Sequence, residues 1–269
     1  MTISKTLSLL CAAAGVAAAE EPETAPRGVA VDRTRDGIFT AALAWLWYGN
    51  ELIFTPLLAP DDCRWCDDDL NAFDTAFRNT LIWSDDNRDT ATTLSHVGIP
   101  SVLVVMVGSS WLFQRDTDLL IDDSILMLQA GAITAVVVQV GKYAAGRSRP
   151  DARFGGRDEG DYSFGDHPNL SFPSGHTAFA SAVVAAGATS LALRGQQHSW
   201  PLVATLGGGL ALGTGYLTVA ADRHYATDVL AGAFIGATVG VGTVWIHRER
   251  RSSIRVVAAP RSIGVIGSF

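Results

Sequence analysis

Five apolar stretches, at about 96–114, 121–144, 174–194, 202–220 and 227–247, constrain this 269-residue chain more than any other feature. Each is close to the roughly 20 residues a helix needs to cross a bilayer. A sixth stretch, 38–58, contains Asn50, Glu51 and Pro56. It therefore reads either as another span or as a helix lying in the interface or on the protein surface. No segment alternates as a half-buried strand does, and no repeat or low-complexity tract is visible. The expected fold is all-α: a membrane-embedded helical bundle of five or six spans. Composition agrees, with 48% hydrophobic and only 17% charged residues, against roughly 25% charged in an average soluble domain. Many of the 27 glycines fall inside apolar runs, where they let helices in a bilayer approach closely.

The net charge of −7 argues against a nucleic-acid partner, because no basic stripe is available to neutralise a phosphate backbone. Basic residues gather at Lys142 to Arg157 and at His247 to Arg255. The second group follows the last apolar stretch, so the positive-inside rule puts 248–269 in the cytoplasm as a basic tail. Counting back through the spans places 145–173, 221–226 and 59–95 together on the opposite, periplasmic face.

The N-terminus has a different character. Lys5, the apolar run Leu7 to Ala19 and the small residues Ala17, Ala18 and Ala19 have the shape of an export signal, with an uncleaved anchor as the alternative for 1–19. Residues 20–37 read as a linker, and 38–93 as an N-terminal helix followed by a periplasmic segment. A cleaved signal and a spanning 38–58 together give the wrong parity, so the two expectations conflict. Cys63 and Cys66 form an isolated Cys-x-x-Cys among Asp61, Asp62, Asp67, Asp68 and Asp69. No second pair completes a four-ligand zinc site. A local disulfide in an oxidising compartment is the first reading, with a free pair or a metal site as alternatives.

Topology brings three clusters to one face. The first is Lys142, Arg147, Arg149 and Pro150. The second is Pro173-Ser174-Gly175-His176, opening a helix. The third is His224 with Asp228, at the start of the last helix. Lysine and arginine supply fixed charge and multiple donors for phosphate oxygens. Ser174 and Gly175 precede a helix start, where free N–H groups and the helix dipole favour an anion. The four-residue spacing of His224 and Asp228 puts both on one helical face. A carboxylate there fixes one ring nitrogen and leaves the other to attack, while His176 is placed to protonate a leaving group.

Lys142-x6-Arg149-Pro150, Pro173-Ser174-Gly175-His176 and His224-x3-Asp228 resemble the signature motifs of the type 2 phosphatidic acid phosphatase and vanadium haloperoxidase superfamily, over about residues 94–247. The resemblance implies a phosphatidic acid phosphatase type 2-like helical core over 94–247 and a metal-free, cofactor-free, two-step phosphatase. In that scheme His224 is the nucleophile, Asp228 its support and His176 the acid. Lys142, Arg149, Ser174 and Gly175 hold the phosphoryl oxygens. The implied partners are the membrane and a phospholipid or polyprenyl phosphate. Thr218 stands where the family usually carries an arginine six residues before the nucleophile. Loss of one charged contact costs about 3 kcal/mol of transition-state stabilisation by analogy with oxyanion donors, and Arg147 is the candidate to compensate. Three other readings stay open: a periplasmic acid phosphatase of broad specificity, a haloperoxidase, and a phosphate-binding homologue that Thr218 has left without turnover. Asp151 and Asp166 read as loop solvation. His96, His167, His198 and His247 read as bystanders.

Overall fold

The computed structural model describes residues 28–66, 70–155, 162 and 166–249, with the backbone of two further strands at 253–259 and 262–268. The candidate signal 1–19 therefore lies outside the described residues. Helix α1 runs Arg33–Gly49 and continues through a π-helical turn, Asn50–Phe54, into α2, Thr55–Leu58. After a short helix α3, Ala72–Leu81, come α4, Asp85–Gln114, and α5, Thr117–Ala145. The one-turn α6, Pro150–Arg153, leads to α7, Gly175–Leu193, α8, Ser199–Ala220, and α9, Ala226–Ile246.

Helices α4, α5, α7, α8 and α9 are each long and apolar enough to cross a membrane. Their outward faces carry bare apolar side chains: Val104 is 70% exposed, Phe234 75% and Ile246 84%. Exposed apolar surface on this scale needs a partner, and a bilayer covers every such face at once. This is a membrane protein. Helix α7 sits at the centre, packed against α4, α5, α8 and α9.

The contact between α7 and α9 is backbone on backbone. A Cβ on Gly236 would come within 2.0 Å of the Ala178 carbonyl oxygen, and on Gly240 within 2.4 Å of that of Ala182. Small residues spaced four apart on both helices make this approach possible. At its end, the Ser174 N–H donates to the Asp228 carbonyl at 3.0 Å, which ties the start of α7 to the start of α9.

Two expectations change. The 38–58 segment begins earlier, at Arg33, and runs alongside α5 from end to end. Arg33 Nε meets Asp122 Oδ1 at 2.7 Å near the start of α5, and Thr55 Oγ1 meets Tyr143 Oη at 2.9 Å near its finish. Part of the supposed linker is therefore structure: Val29 is buried in the core and Ala30 N donates to His247 O at 2.8 Å. The start of α1 and the end of α9 thus share one end of the bundle. The basic tail, in turn, contains an antiparallel pair, β1 Ser253–Ala259 and β2 Ser262–Ser268.

Candidate active site

At the other end of the bundle, five elements deliver the residues of the three motifs. Helix α5 ends at Ala145, with Gly146 in the left-handed conformation, and its last turn presents Lys142. A Cβ added to Gly175 would lie only 3.8 Å from Lys142 Nζ, so motif one touches motif two. Lys142 and Arg149 each lie within electrostatic reach of His176, His224 and Asp228, and the two histidines within reach of each other. The residues singled out in the sequence are thus brought together.

Arg149 is buried and fixed by three acceptors. Nε donates to His167 O at 3.0 Å, Nη1 to Arg223 O at 3.0 Å, and Nη2 pairs with Asp166 at 2.8 Å. Burial pulls its pKa down and neighbouring Asp151 pushes it back up. Ser174, fully buried, is the N-cap of α7, but its hydroxyl meets Thr177 Oγ1 at 3.1 Å and caps no N–H. The first amides of α7 therefore remain uncapped, in the position where a helix accepts an anion.

His224 lies in the turn between α8 and α9, 3% exposed. Its Nδ1 stands 3.6 Å from Asp228 Oδ2 and has no hydrogen-bond partner. That is an ion-pair distance, a few tenths of an ångström beyond a hydrogen bond; catalytic contacts are often this loose before substrate arrives. Burial pushes the His224 pKa down to about 4, against an upward pull from Asp228 and with Arg149 adding to the fall. The ring is therefore neutral near pH 7.

Asp228 is held more firmly than the ring it faces. Oδ2 accepts from Ser171 Oγ at 2.6 Å and from the Tyr225 N–H at 2.9 Å, while Oδ1 accepts from Arg147. This corrects the expectation for Arg147. Its guanidinium is committed to Asp228, to Asp74 at 2.8 Å and to Thr227 at 2.8 Å, and is flanked by the rings of Tyr225 and Trp65 at 4.1 and 4.6 Å. It braces the carboxylate and does not stand in for the charge missing at Thr218. Thr218 itself is buried, its hydroxyl donating to Gly215 O at 2.7 Å. Its carbonyl accepts from the Arg223 and His224 amides, which closes α8.

Several site residues gave no sequence signal. Asp74, fully buried on α3, accepts from Arg147 Nη2, from Thr227 N and Oγ1, and from Asn71 Nδ2. One turn further along α3, Arg78 grips both oxygens of Asp222 at 2.7 Å, in the turn that carries His224. Asp222 has a φ of 58°, which an aspartate tolerates better than most residues. Helix α3 thus straps Asp228 and the His224 turn together. Asp151 and Asp166 are ion-pair partners of Arg223, a correction to their reading as solvated loop. His96 stacks edge-on against His176, ring centres 4.7 Å apart. Cys63 and Cys66 are joined by a disulfide, and the turn they enclose sets Trp65 against Arg147 and against Phe172 at 5.1 Å. Among the described residues, no group of three or more His, Cys, Asp and Glu side chains is arranged to hold a metal ion.

The PAP2 superfamily model matches residues 124–252. A lipid A 1-phosphatase of Porphyromonas gingivalis is 37% identical over 129 residues, 48% of this chain. The match covers 24% of that relative, so the chain spans about a quarter of the length of the curated protein it resembles. Two solved structures are also similar. One is a transmembrane PAP2-type phosphatidylglycerolphosphate phosphatase from Bacillus subtilis, 21% identical, covering 79% of this chain and 94% of that one at a TM-score of 0.46. The other is Aquifex aeolicus LpxE, 21% identical, covering 66% and 97% at a TM-score of 0.44.

Proposed function

We propose that this chain, whose residues 124–252 match the PAP2 superfamily model, is a member of that superfamily and a metal-independent phosphatase that releases phosphate from a lipid-linked phosphate or diphosphate through a phosphohistidine on His224. The observation that carries this reading is the placement of His224, backed by Asp228, at one end of the bundle within electrostatic reach of His176, Lys142 and Arg149 and beside the uncapped start of α7. The similarity to a lipid A 1-phosphatase supports a lipid substrate. So does the exposed apolar girdle, which lets a lipid tail stay in the bilayer while the headgroup enters from the side. That girdle favours a lipid over the soluble substrates of a broad acid phosphatase.

The geometry supports the following chemistry. Neutral His224 attacks phosphorus through Nε2, forming an N–P bond as the P–O ester bond breaks. The proton on Nδ1 stays directed at Asp228, and charge growing on the imidazole is met by a carboxylate that Arg147, Ser171 and the Tyr225 amide hold in place. His176 gives its proton to the departing oxygen. Water then attacks phosphorus, His176 takes a proton from it, and the N–P bond breaks to restore His224. Charge on the equatorial oxygens is met by Lys142, Arg149, the Ser174 hydroxyl and the Gly175 amide, an arrangement that acts by electrostatic stabilisation. Arg147 is a positioning residue in this scheme.

The site end faces the periplasm. The basic run Arg248, Arg250, Arg251 and Arg255 follows α9 at the opposite end, which the positive-inside rule reads as cytoplasmic, whereas Arg78, Arg147, Arg149 and Arg223 at the site end are taken up in ion pairs with carboxylates. The Cys63–Cys66 disulfide lies at the site end and suits an oxidising compartment. The reading is tested by phosphate release from a panel of lipid phosphates in detergent micelles. The wild type is expected to turn over at least one of them and His224→Ala none. A wild type that binds phosphate yet releases none would leave only the binding role.

A further inference from the structure

Deep in the first helical segment, beside the phosphate pocket, lies a carboxylate the mechanism does not use. Glu51 sits in the π-helical turn Asn50–Phe54 that separates α1 from α2. A π-turn costs regular hydrogen bonding and is often kept where a side chain must be re-aimed at a functional site. Glu51 interacts electrostatically with Lys142 and Arg149, the two cations assigned to phosphate. Its Oε2 is buried with no partner. The neighbouring Asn50 Nδ2 is also buried and unpartnered, while Asn50 Oδ1 accepts from Tyr143 Oη at 3.1 Å. Asn50 thus anchors the turn to the last part of α5, and Glu51 is the residue of the turn within electrostatic reach of Lys142.

An acceptor and a donor, both enclosed and both unmatched by protein groups, carry a desolvation cost unless a ligand, or a water that a ligand displaces, meets them. Phosphate is the wrong ligand for the acceptor, because its anionic oxygens repel a carboxylate. An ammonium group is the wrong ligand for the donor, because it cannot accept. A hydroxyl does both, donating to Glu51 and accepting from Asn50.

Building on the phosphatase reading, we propose that Asn50 and Glu51 form a headgroup subsite that reads a hydroxyl beside the scissile phosphoester, selecting phosphorylated polyol or sugar headgroups over simple lipid phosphates.

The test compares two micellar lipids with identical chains, phosphatidylglycerophosphate and its deoxy counterpart, phosphatidylpropanediol phosphate, which differ by one hydroxyl. Wild type is expected to favour the hydroxylated lipid in kcat/KM by about tenfold or more, as a hydrogen bond to a buried charged group would give. Glu51→Ala is expected to collapse that ratio toward one, and Glu51→Gln, which keeps the shape and one acceptor, to fall between. Wild type needs no variant to fold, so equal kcat/KM on the two lipids overturns the subsite. So does a preference that Glu51→Ala leaves intact. Failure to release phosphate from either lipid, or from any other lipid phosphate, overturns the phosphatase reading and this inference with it.

Discussion

Replacing Asp74 by asparagine perturbs the site without touching the pocket. Oδ2 of Asp74 takes three donors, from Arg147, Thr227 Oγ1 and Asn71, whereas Oδ1 takes only the Thr227 N–H. The asparagine amide nitrogen therefore settles at the Oδ1 position, where it displaces the fewest bonds but sets its own hydrogens against the Thr227 N–H, which is left without an acceptor. That orphan costs about 1–3 kcal/mol, and loss of the charge opposite a buried guanidinium adds to it, for a total of about 2–4 kcal/mol. Arg147, freed from one of its two carboxylates, then draws harder on Asp228. The contact between Asp228 and His224 is already 3.6 Å, and a displacement near 1 Å costs about 100-fold in rate. We expect kcat to fall by about 10- to 100-fold with KM changed less than about threefold, since Asp74 meets no phosphate oxygen in this scheme. Steady-state kinetics on a micellar lipid phosphate, with thermal unfolding measured in the same detergent, checks both halves. A loss of stability with kcat unchanged would refute the link from α3 to the nucleophile, as would a rise in KM alone.

Two further predictions concern packing and protonation. Gly236→Ala places a methyl where the Ala178 carbonyl already stands, so α7 and α9 must separate; folded yield by size-exclusion chromatography should drop sharply, and a normal yield would contradict the backbone contact. The depressed His224 pKa, about 4 against an unfolded value near 6.5, means that the unfolded chain binds the extra proton between these values. Stability from this group is therefore complete above pH 6.5 and lost as pH falls toward 4, by about 3 kcal/mol. Wild type should lose more stability than His224→Ala between pH 7.5 and 4.5, and parallel losses would place the imidazole in a wetter setting.

The parts of this account legible in the sequence are those written locally. Five apolar runs became α4, α5, α7, α8 and α9, and the three motifs arrive at one end because the connecting spans alternate in direction. Helix α4 shows where local reading stops: its apolar part was visible from 96, but it begins eleven residues earlier, at Asp85, with turns too polar to count toward a span. The first segment was ambiguous because Asn50, Glu51 and Pro56 break its apolar run; these are the residues of the π-turn and the short helix after it. Asp74 could not be found from sequence at all. It is one aspartate among many in a polar stretch, and its meaning comes from partners 73 and 153 positions away. Arg147 failed for the same reason: a basic residue in a phosphate motif reads as a ligand until the two carboxylates that occupy it are known. Thr218 marks the missing arginine in the sequence, and the structure shows it enclosed and bonded within its own helix.

A covalent intermediate on His224 is the claim on which the rest depends, and rapid acid-free quenching with a radiolabelled lipid phosphate tests it most directly. The account predicts a phosphoenzyme that survives alkali, is lost in acid, maps to the peptide bearing His224, and accumulates in His176→Ala with a good leaving group. Turnover by wild type with no label on that peptide, or label that remains in His224→Ala, would contradict it.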